Sequence, residues 1–497
     1  MTMARYVLTL DLGSSGLRAQ VVSTERWEVV AGSTRRYRRV RSPGGLAQRF
    51  APTELRRQII DALAEAIQAS NARSEDIETV SIMAQRGGTA FLDHAGTTLY
   101  VGPNSDIRAV FEGGAIDDKQ GDQVYQTTGH LPSMFFLPAK LHWWQRHRPR
   151  IALRTATVAS LGGWVAYQLT GDLAETPGTL AELGLADVGT GLPARGLLNR
   201  LNVSLSLLPQ AITAGEPIGQ ISAAIASQVG LGAGTQVCLA GPDAQVSLFS
   251  TGSTEIGDTA VIAGWSAPVQ RVTESPTFDG QRRTWIGRHI LEGRWIAEAN
   301  PGDTGATLDM VRTMLVGHIS SPRFSELASS ASDDTIPAFA FWGPRALDLS
   351  NPGMSVGGLL TPSPITHEGL DPASVARATF ENIAFAIHEC VELLDEVAVA
   401  STRPLSLTGG MSASRFFARL LATTLGRPVL RHDARSSAIG AAIIASVPTE
   451  EWRGAVSLFA KRAETVEPTT IDVIEQANRY SRWRRLRERL DALAEEF

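Results

Sequence analysis

The chain has 497 residues, of which 43% are hydrophobic, 20% charged and 6% aromatic, a globular composition with room for two or three domains that excludes the disordered and fibrous classes. A formal charge of −5 excludes the basic field that gathers nucleic acid or anionic lipid around a protein, so neither nucleic acid nor membrane is expected as a partner. Lysine occurs only at 119, 140 and 461, behind Asp118, Ala139 and Ala460, which excludes a Gly-Lys-Ser/Thr P-loop: any ATP is bound without a Walker lysine.

Tyr6 to Leu12 is an alternating strand pattern with no long apolar segment behind it, so a signal peptide is not expected and a cytoplasmic location is. From Val7 to Val22 the chain reads as two strands joined by the turn Gly13-Ser14-Ser15-Gly16. A turn of small residues leaves several N–H groups pointing into one concavity, which suits phosphate oxygens. Asp11, just before it, is placed to hold Mg²⁺ through water, and Arg18 on the return strand to reach a phosphate chain. A plain tight turn accounts for the same residues.

Residues 217–241 carry no charge but are rich in Gln, Ser and Gly, too polar for a spanning helix, and read as a helix, a glycine turn and a strand. That strand, Thr235 to Gly241, breaks at Gly241-Pro242 and delivers Asp243-Ala244-Gln245 to the start of a helix. The carboxyl end of a strand in an open α/β sheet is where ligands bind, so Asp243 is placed like a general base; a helix N-cap is the alternative. Cys238 and Cys390 are isolated thiols that form no disulfide framework or zinc knuckle and fit a reducing compartment.

Residues 256–270 repeat the opening plan, with Gly264-Trp265-Ser266 as the turn, an echo about 250 positions on that suggests two related halves. Asp371-Pro372 predicts a helix start, with Phe380, Ile383, Ile387, Val391 and Leu394 on one face. His388-Glu389-Cys390-Val391-Glu392 on that helix lacks the second histidine of a zinc motif and reads as core, and no histidine is assigned to catalysis. Strand 404–408 meets Gly409-Gly410, then a helix for which Ser412 is the expected cap. Bare backbone at Gly409, Gly410 and Met411 suits an adenine ring or ribose, or serves only as a strand-to-helix turn. Glu475 to Phe497 predicts a charged, solvated terminal helix.

Together these motifs resemble the FGGY family of carbohydrate kinases across nearly the whole chain. Leu10-Asp11-Leu12-Gly13-Ser14-Ser15 is similar to its first phosphate motif, Ala240-Gly241-Pro242-Asp243-Ala244-Gln245 to the segment with its catalytic aspartate, and Leu407-Thr408-Gly409-Gly410-Met411-Ser412 with Gly440-Ala441-Ala442 to its adenosine motif. Sugar-side segments follow in the family's order: Gln85-Arg86-Gly87-Gly88, 104–109, Thr128-Gly129, 140–143 and 169–171. Two places depart from the pattern and bear on nucleotide affinity: Trp265 stands where the family usually has Thr, and Ser436-Ser437 where it often has Glu.

The resemblance implies an α/β fold of two actin-like ATPase (ribonuclease H-like) domains with a cleft between them, divided at 1–247 and 248–497. It implies ATP-dependent transfer of the γ-phosphoryl group to a hydroxyl of a small sugar or polyol, a ketopentose such as xylulose or a related open-chain substrate. Asp243 would be the catalytic base, with Asp11 at Mg²⁺. Gln85, Arg86, Asp106, Arg108, Asp243 and Gln245 would meet the sugar. Gly13, Ser14, Ser15, Arg18, Gly264, Trp265, Ser266, Gly409, Gly410 and Met411 would meet the nucleotide. Arg86, Asp106 and Arg108 have an interlobe ion pair as their alternative. A sugar-independent actin-fold ATPase and a catalytically weakened sugar sensor remain as rival functions, and homodimerisation is left open.

Overall fold

The computed structural model describes residues 6–331, 338–347, 356–362, 370–470 and 472–493. They fall into two compact units: Met1–Thr254 with Glu274–Ile296 and Arg435–Ala460, and Glu255–Thr273 with Ala297–Ala434 and Lys461–Phe497. The first long segment ends close to the division expected after residue 247, but two later segments belong to the same unit.

The first unit is built on β1 (Tyr6–Leu12), β2 (Gly16–Ser23), β3 (Glu28–Arg36), β4 (Ile77–Ala84), β5 (Pro217–Gln220) and β6 (Gln236–Pro242), in spatial order β5-β6-β4-β1-β2-β3. β4 is parallel to both β1 and β6, and the hairpin partners and β5 are antiparallel. β1 is buried on both faces, which is why it reads as a nearly continuous apolar run. Leu8, Leu10 and Leu12 share a core with Leu55, Ile59 and Leu63 of the helix Pro52–Ser70, whereas Val7 packs with Val22, Met83 and Ala240 against Ile439 and Ile443. Those last residues lie on the helix Ser436–Ser446, and Ser81 Oγ donates to the Ala441 carbonyl at 2.8 Å. The helix Ser436–Ser446 is therefore a layer of the first unit's sheet. The β1–β2 turn is one residue shorter than predicted, because Gly16 already pairs with Arg36 across β2 and β3. In 217–241 a short edge strand precedes the expected helix, Ala223–Val229, and its glycine turn.

In the second unit, β7 (Thr259–Ile262), β8 (Val269–Thr273), β9 (Leu405–Thr408), β10 (Val429–Arg431) and β11 (Glu464–Val466) lie in the order β8-β7-β9-β10-β11. The pairing is antiparallel, parallel, parallel, antiparallel. This repeats β2-β1-β4-β6-β5 of the first unit, so the echo in the sequence is an echo in topology. The helix Pro372–Val397 starts as predicted, Asp371 accepting from Ser374 N at 2.9 Å, and buries Phe380, Ile383, Ile387, Val391 and Leu394. His388 stacks on Tyr480 at 4.4 Å.

Two expectations are corrected. The helix Arg415–Leu425 is capped by Ser414, which accepts from Phe417 N at 3.1 Å, while Ser412 sits in a preceding 3₁₀ turn and donates to the His432 carbonyl. The terminal helix, Asp472–Leu493, is not solvated all round: Tyr480 and Trp483 are buried against Phe341 and Phe385, and Arg479 and Arg487 pair with Glu381 and Glu389. Arginines three and four apart can cover apolar surface with their stems while pairing at their tips, so a charged sequence hides a packed face. Glu495, Glu496 and Phe497 lie outside the described residues. Among the described residues no helix is long and apolar enough to cross a membrane.

Candidate active site

The first turn is held in shape by side chains. Gln85 Nε2 donates to the Gly13 carbonyl at 3.1 Å, Asn104 Nδ2 donates to Ser14 Oγ at 3.1 Å, and Arg39 donates to the Ser14 carbonyl. Gln85 Oε1 in turn accepts from Asn104 N at 3.0 Å. The amide of Gln85, expected at the sugar, thus spends both ends shaping the turn.

Asp11 is buried at the end of β1. Its Oδ2 pairs with Arg18 at 3.2 Å and its Oδ1 has no hydrogen-bond partner. Burial pushes its carboxyl above the ordinary value, and Arg18 offsets part of that.

A register shift in β6 and a φ of +125° at Gly241, a conformation open to glycine, turn the strand end into the helix Asp243–Ser250. Pro242 is the N-cap; Asp243 is the first helical residue, with Oδ1 accepting from Ala244 N at 2.9 Å. Pro242 rather than Asp243 therefore holds the cap position, and Asp243 meets the Ala244 amide from the first helical position. Desolvation first, and the like charge of Asp11 second, push the Asp243 carboxyl up to about 6, against the pull of Arg86.

Next to this strand end is a pocket whose lining includes Gln85, Arg86, Gly87, Ser160, Thr179, Glu182 and Gly241. Arg86 lies 3.5 Å from Glu182 Oε2, with its guanidinium 5.3 Å from the Trp285 ring centre. Gln245 Nε2 donates to Glu182 Oε1 at 2.5 Å. His130 Nε2 is 3.3 Å from Glu182 Oε2, and its Nδ1 is 2.6 Å from the Thr128 carbonyl. Burial acts to raise the Glu182 carboxyl, but His130 and Arg86 together hold it below the ordinary value. Lys140 is fully buried and donates to the Gly87 carbonyl at 2.7 Å, bracing the loop that carries Arg86; desolvation lowers its ammonium to about 8.

Of the residues expected at the sugar, Gln85 and Arg86 line this pocket, and Asp106, Arg108, Asp243 and Gln245 do not. Arg108 Nε donates to both Asp106 oxygens at 2.9 and 2.8 Å, and its guanidinium lies 4.9–5.1 Å from the ring centres of Tyr100, Trp143 and Trp144. Tyr100 and Gln48 N complete the shell around the fully buried Asp106. Asp106 and Arg108 thus answer one another inside the protein. No sequence motif singles out Glu182 or His130. The one available signal was an acid set in the apolar run Leu180 to Leu185.

In the second unit, the expected nucleotide residues come together by backbone alone. Ala263 N donates to Thr408 O at 2.8 Å and Met411 N to Ala263 O at 2.9 Å, so the 264–266 turn lies against Gly409 and Gly410. A Cβ on Gly409 would stand 2.7 Å from the Ala263 carbonyl oxygen, and φ there is +90°. Gly264 N donates to Ser266 O at 2.8 Å, Gly305 N to Trp265 O at 2.9 Å, and the Trp265 side chain is exposed. Among the described residues no group of three or more His, Cys, Asp or Glu side chains is arranged to hold a metal.

Comparison with known proteins identifies relatives over the whole chain. The model of the FGGY family of carbohydrate kinases, N-terminal domain, matches residues 6–250, and that of the C-terminal domain matches residues 295–448. A putative sugar kinase of Bacillus subtilis (strain 168), YoaC, is 27% identical over 495 residues, covering 97% of this chain and 98% of its own. An autoinducer-2 kinase of Escherichia coli (strain K12) is 24% identical over 482 residues, covering 93% and 88%. Xylulose kinase from Rhodospirillum rubrum superposes with a TM-score of 0.81 at 22% identity over 99% of this chain and 100% of that one. Plasmodium falciparum glycerol kinase with ADP superposes with a TM-score of 0.81 at 16% identity over 98% of each chain.

Proposed function

Since the chain belongs to the FGGY family of carbohydrate kinases and is a sugar kinase, a phosphotransferase with an alcohol group as acceptor, we propose that it moves the γ-phosphoryl group of ATP to a primary hydroxyl of a small ketose, polyol or related open-chain sugar. Its α/β fold is that of two actin-like ATPase domains. The observation that carries the reading is Asp243: a carboxyl at the end of a parallel strand, raised to about 6 by burial and by Asp11, beside a pocket lined by Arg86 and Glu182. Phosphoryl transfer asks for an aligned acceptor, charge neutralisation and a base for the hydroxyl proton. Asp243 takes that proton; a base works best when its value lies near the operating pH. Arg86, in the pocket lining, holds the acceptor, and Gln245 braces Glu182 beside it.

Backbone N–H groups of the turn at 13–15 and of Trp265 and Ser266 face phosphate oxygens, while Gly264 spends its own N–H within the turn; Arg18 adds charge, and Gly409, Gly410 and Met411 carry the adenosine. The residues present fit Mg²⁺: Asp11 Oδ1 is a buried acceptor without a donor, and Mg²⁺ is ordinarily held by one or two carboxylates plus substrate phosphates and water. Bound there, the ion would neutralise negative charge on the transferring group.

A coupled ADP-release assay across ketoses, polyols and aldonates tests the reading. Sugar-stimulated release is expected. Sugar-independent hydrolysis would favour an ATPase, and sugar binding without turnover a sensor.

A further inference from the structure

A turn binds phosphate only if its N–H groups face inward and its carbonyls face away, and the two are linked. Across a trans peptide the C=O of one residue and the N–H of the next point in opposite directions, so whatever holds a carbonyl aims the N–H that follows it. In the turn at 13–15 two successive carbonyls are held by side chains from outside it. Gln85 Nε2 donates to the Gly13 carbonyl at 3.1 Å, and Arg39 donates to the Ser14 carbonyl. The N–H groups so aimed are those of Ser14 and Ser15, and among the described residues neither donates to a group of the protein.

Gln85 cannot exchange its two ends. Its Oε1 accepts from Asn104 N at 3.0 Å, a contact that a backbone N–H offers only to the oxygen, and the Gly13 carbonyl is met only by the NH₂. Asn104 is fastened to the same turn, with Nδ2 donating to Ser14 Oγ at 3.1 Å. Arg39 is braced in its own way: Nη1 donates to Ser105 Oγ at 3.4 Å, and the guanidinium lies 5.6 Å from the Tyr37 ring centre. Gln85 also stands in the wall of the pocket that Arg86 and Glu182 line, yet both ends of its amide are engaged, one by the turn and one by Asn104.

We propose that Gln85 and Arg39 are positioning residues for the phosphoryl donor: they tie back the Gly13 and Ser14 carbonyls and so present the Ser14 and Ser15 N–H groups to the phosphates of the nucleotide. A residue in the wall of the sugar pocket thereby serves the other substrate. Without these donors each peptide unit is free to swing, and a carbonyl turned inward would set its partial negative charge against the phosphates. The proposal rests on the reading that this turn meets phosphate, and it names what aims the turn.

The test is calorimetric binding of ADP, of adenosine and of the sugar that turns over best in the panel, measured on Gln85→Met and on Arg39→Met. ADP Kd should rise about tenfold in each, the effect of one lost hydrogen bond. Adenosine, which has no phosphate, and the sugar should bind within about twofold of wild type. In turnover, KM for ATP should rise while KM for the sugar stays. A residue that merely keeps the fold would move all three ligands together. Arg18→Ala is the control, because under the same reading Arg18 reaches the phosphates directly.

ADP bound by either Met variant as tightly as by wild type, while Arg18→Ala weakens it, overturns the proposal and leaves the phosphate reading standing. An equal loss for ADP and adenosine also overturns it, as does a loss confined to the sugar, which would return Gln85 to that substrate. If Arg18→Ala too binds ADP like wild type, the reading of the turn falls and the proposal falls with it.

Discussion

Gly13-Ser14-Ser15 and Gly264-Trp265-Ser266 close the same hairpin in two sheets of matching topology, yet they are held by different means. Side chains hold the first: Gln85, Asn104 and Arg39 reach in from elsewhere, and a carboxylate, Asp11, stands two residues ahead of the glycine. Backbone holds the second: Met411 and Gly305 donate from the main chain, and Ile262 occupies the place that Asp11 has in the first. Close backbone approach also explains the glycines, since a Cβ on Gly305 would come within 2.3 Å of the Gly264 carbonyl oxygen. One repeat has been given charges and the other bare surface. The difference teaches that a shared fold sets where a turn stands, while the side chains at its base decide whether it does chemistry or offers a shape.

The largest expected effect tests whether the chemistry belongs to the charged unit. Asp243→Asn should lower kcat by about 10²–10⁴ while ADP affinity holds, and wild-type turnover would remove Asp243 as the base. Gly305→Ala should break the other side of the comparison. Forcing a methyl group against the Gly264 carbonyl should cost about 1–3 kcal/mol of stability, seen as a lower Tm, and weaken ADP binding without moving the pH profile.

Asp11→Asn sharpens the comparison through pH. Activity needs ionised Asp243, so kcat/KM in wild type should fall as pH drops through about 6; losing the like charge of Asp11 should move that limb toward the ordinary carboxylate value. Stability runs the other way. The Asp243 value is raised above its ordinary 3.8, so what this group contributes to folding is present below 3.8 and is lost as pH rises through about 6. Denaturant titrations across that window would show it. The smallest effect belongs to Trp265→Thr: with the indole 43% exposed, Tm should barely move, within about 0.5 kcal/mol. Any nucleotide-induced change in emission from that indole should disappear.

Much of the site was legible because its parts are local. A hairpin turn, a strand end broken at Gly241-Pro242 and a Gly-Gly turn are each written in fewer than about ten consecutive residues, through steric rules that act between neighbours. Asp11 and Asp243 could be placed for that reason, and so could the topological echo. Where the reading went astray, the deciding contact was distant in sequence or the competition was between near-equals. Ser414 took the cap from Ser412 by two positions. The arginine-rich terminal helix looked solvated because the partners of its arginines, on the helix Pro372–Val397, lie about a hundred residues upstream.

The sequence by itself determined the repeated hairpins, the glycine turns and the carboxylate at the strand end, because local backbone geometry admits few alternatives there. Only the tertiary structure decided which buried polar groups answer one another. It matched Asp106 with Arg108, gathered His130, Glu182 and Gln245 from three separate stretches, and laid the helix Ser436–Ser446 on the first sheet. Each buried donor or acceptor must find a partner wherever the fold brings one, and that choice is made across the whole chain, out of reach of any window read along it.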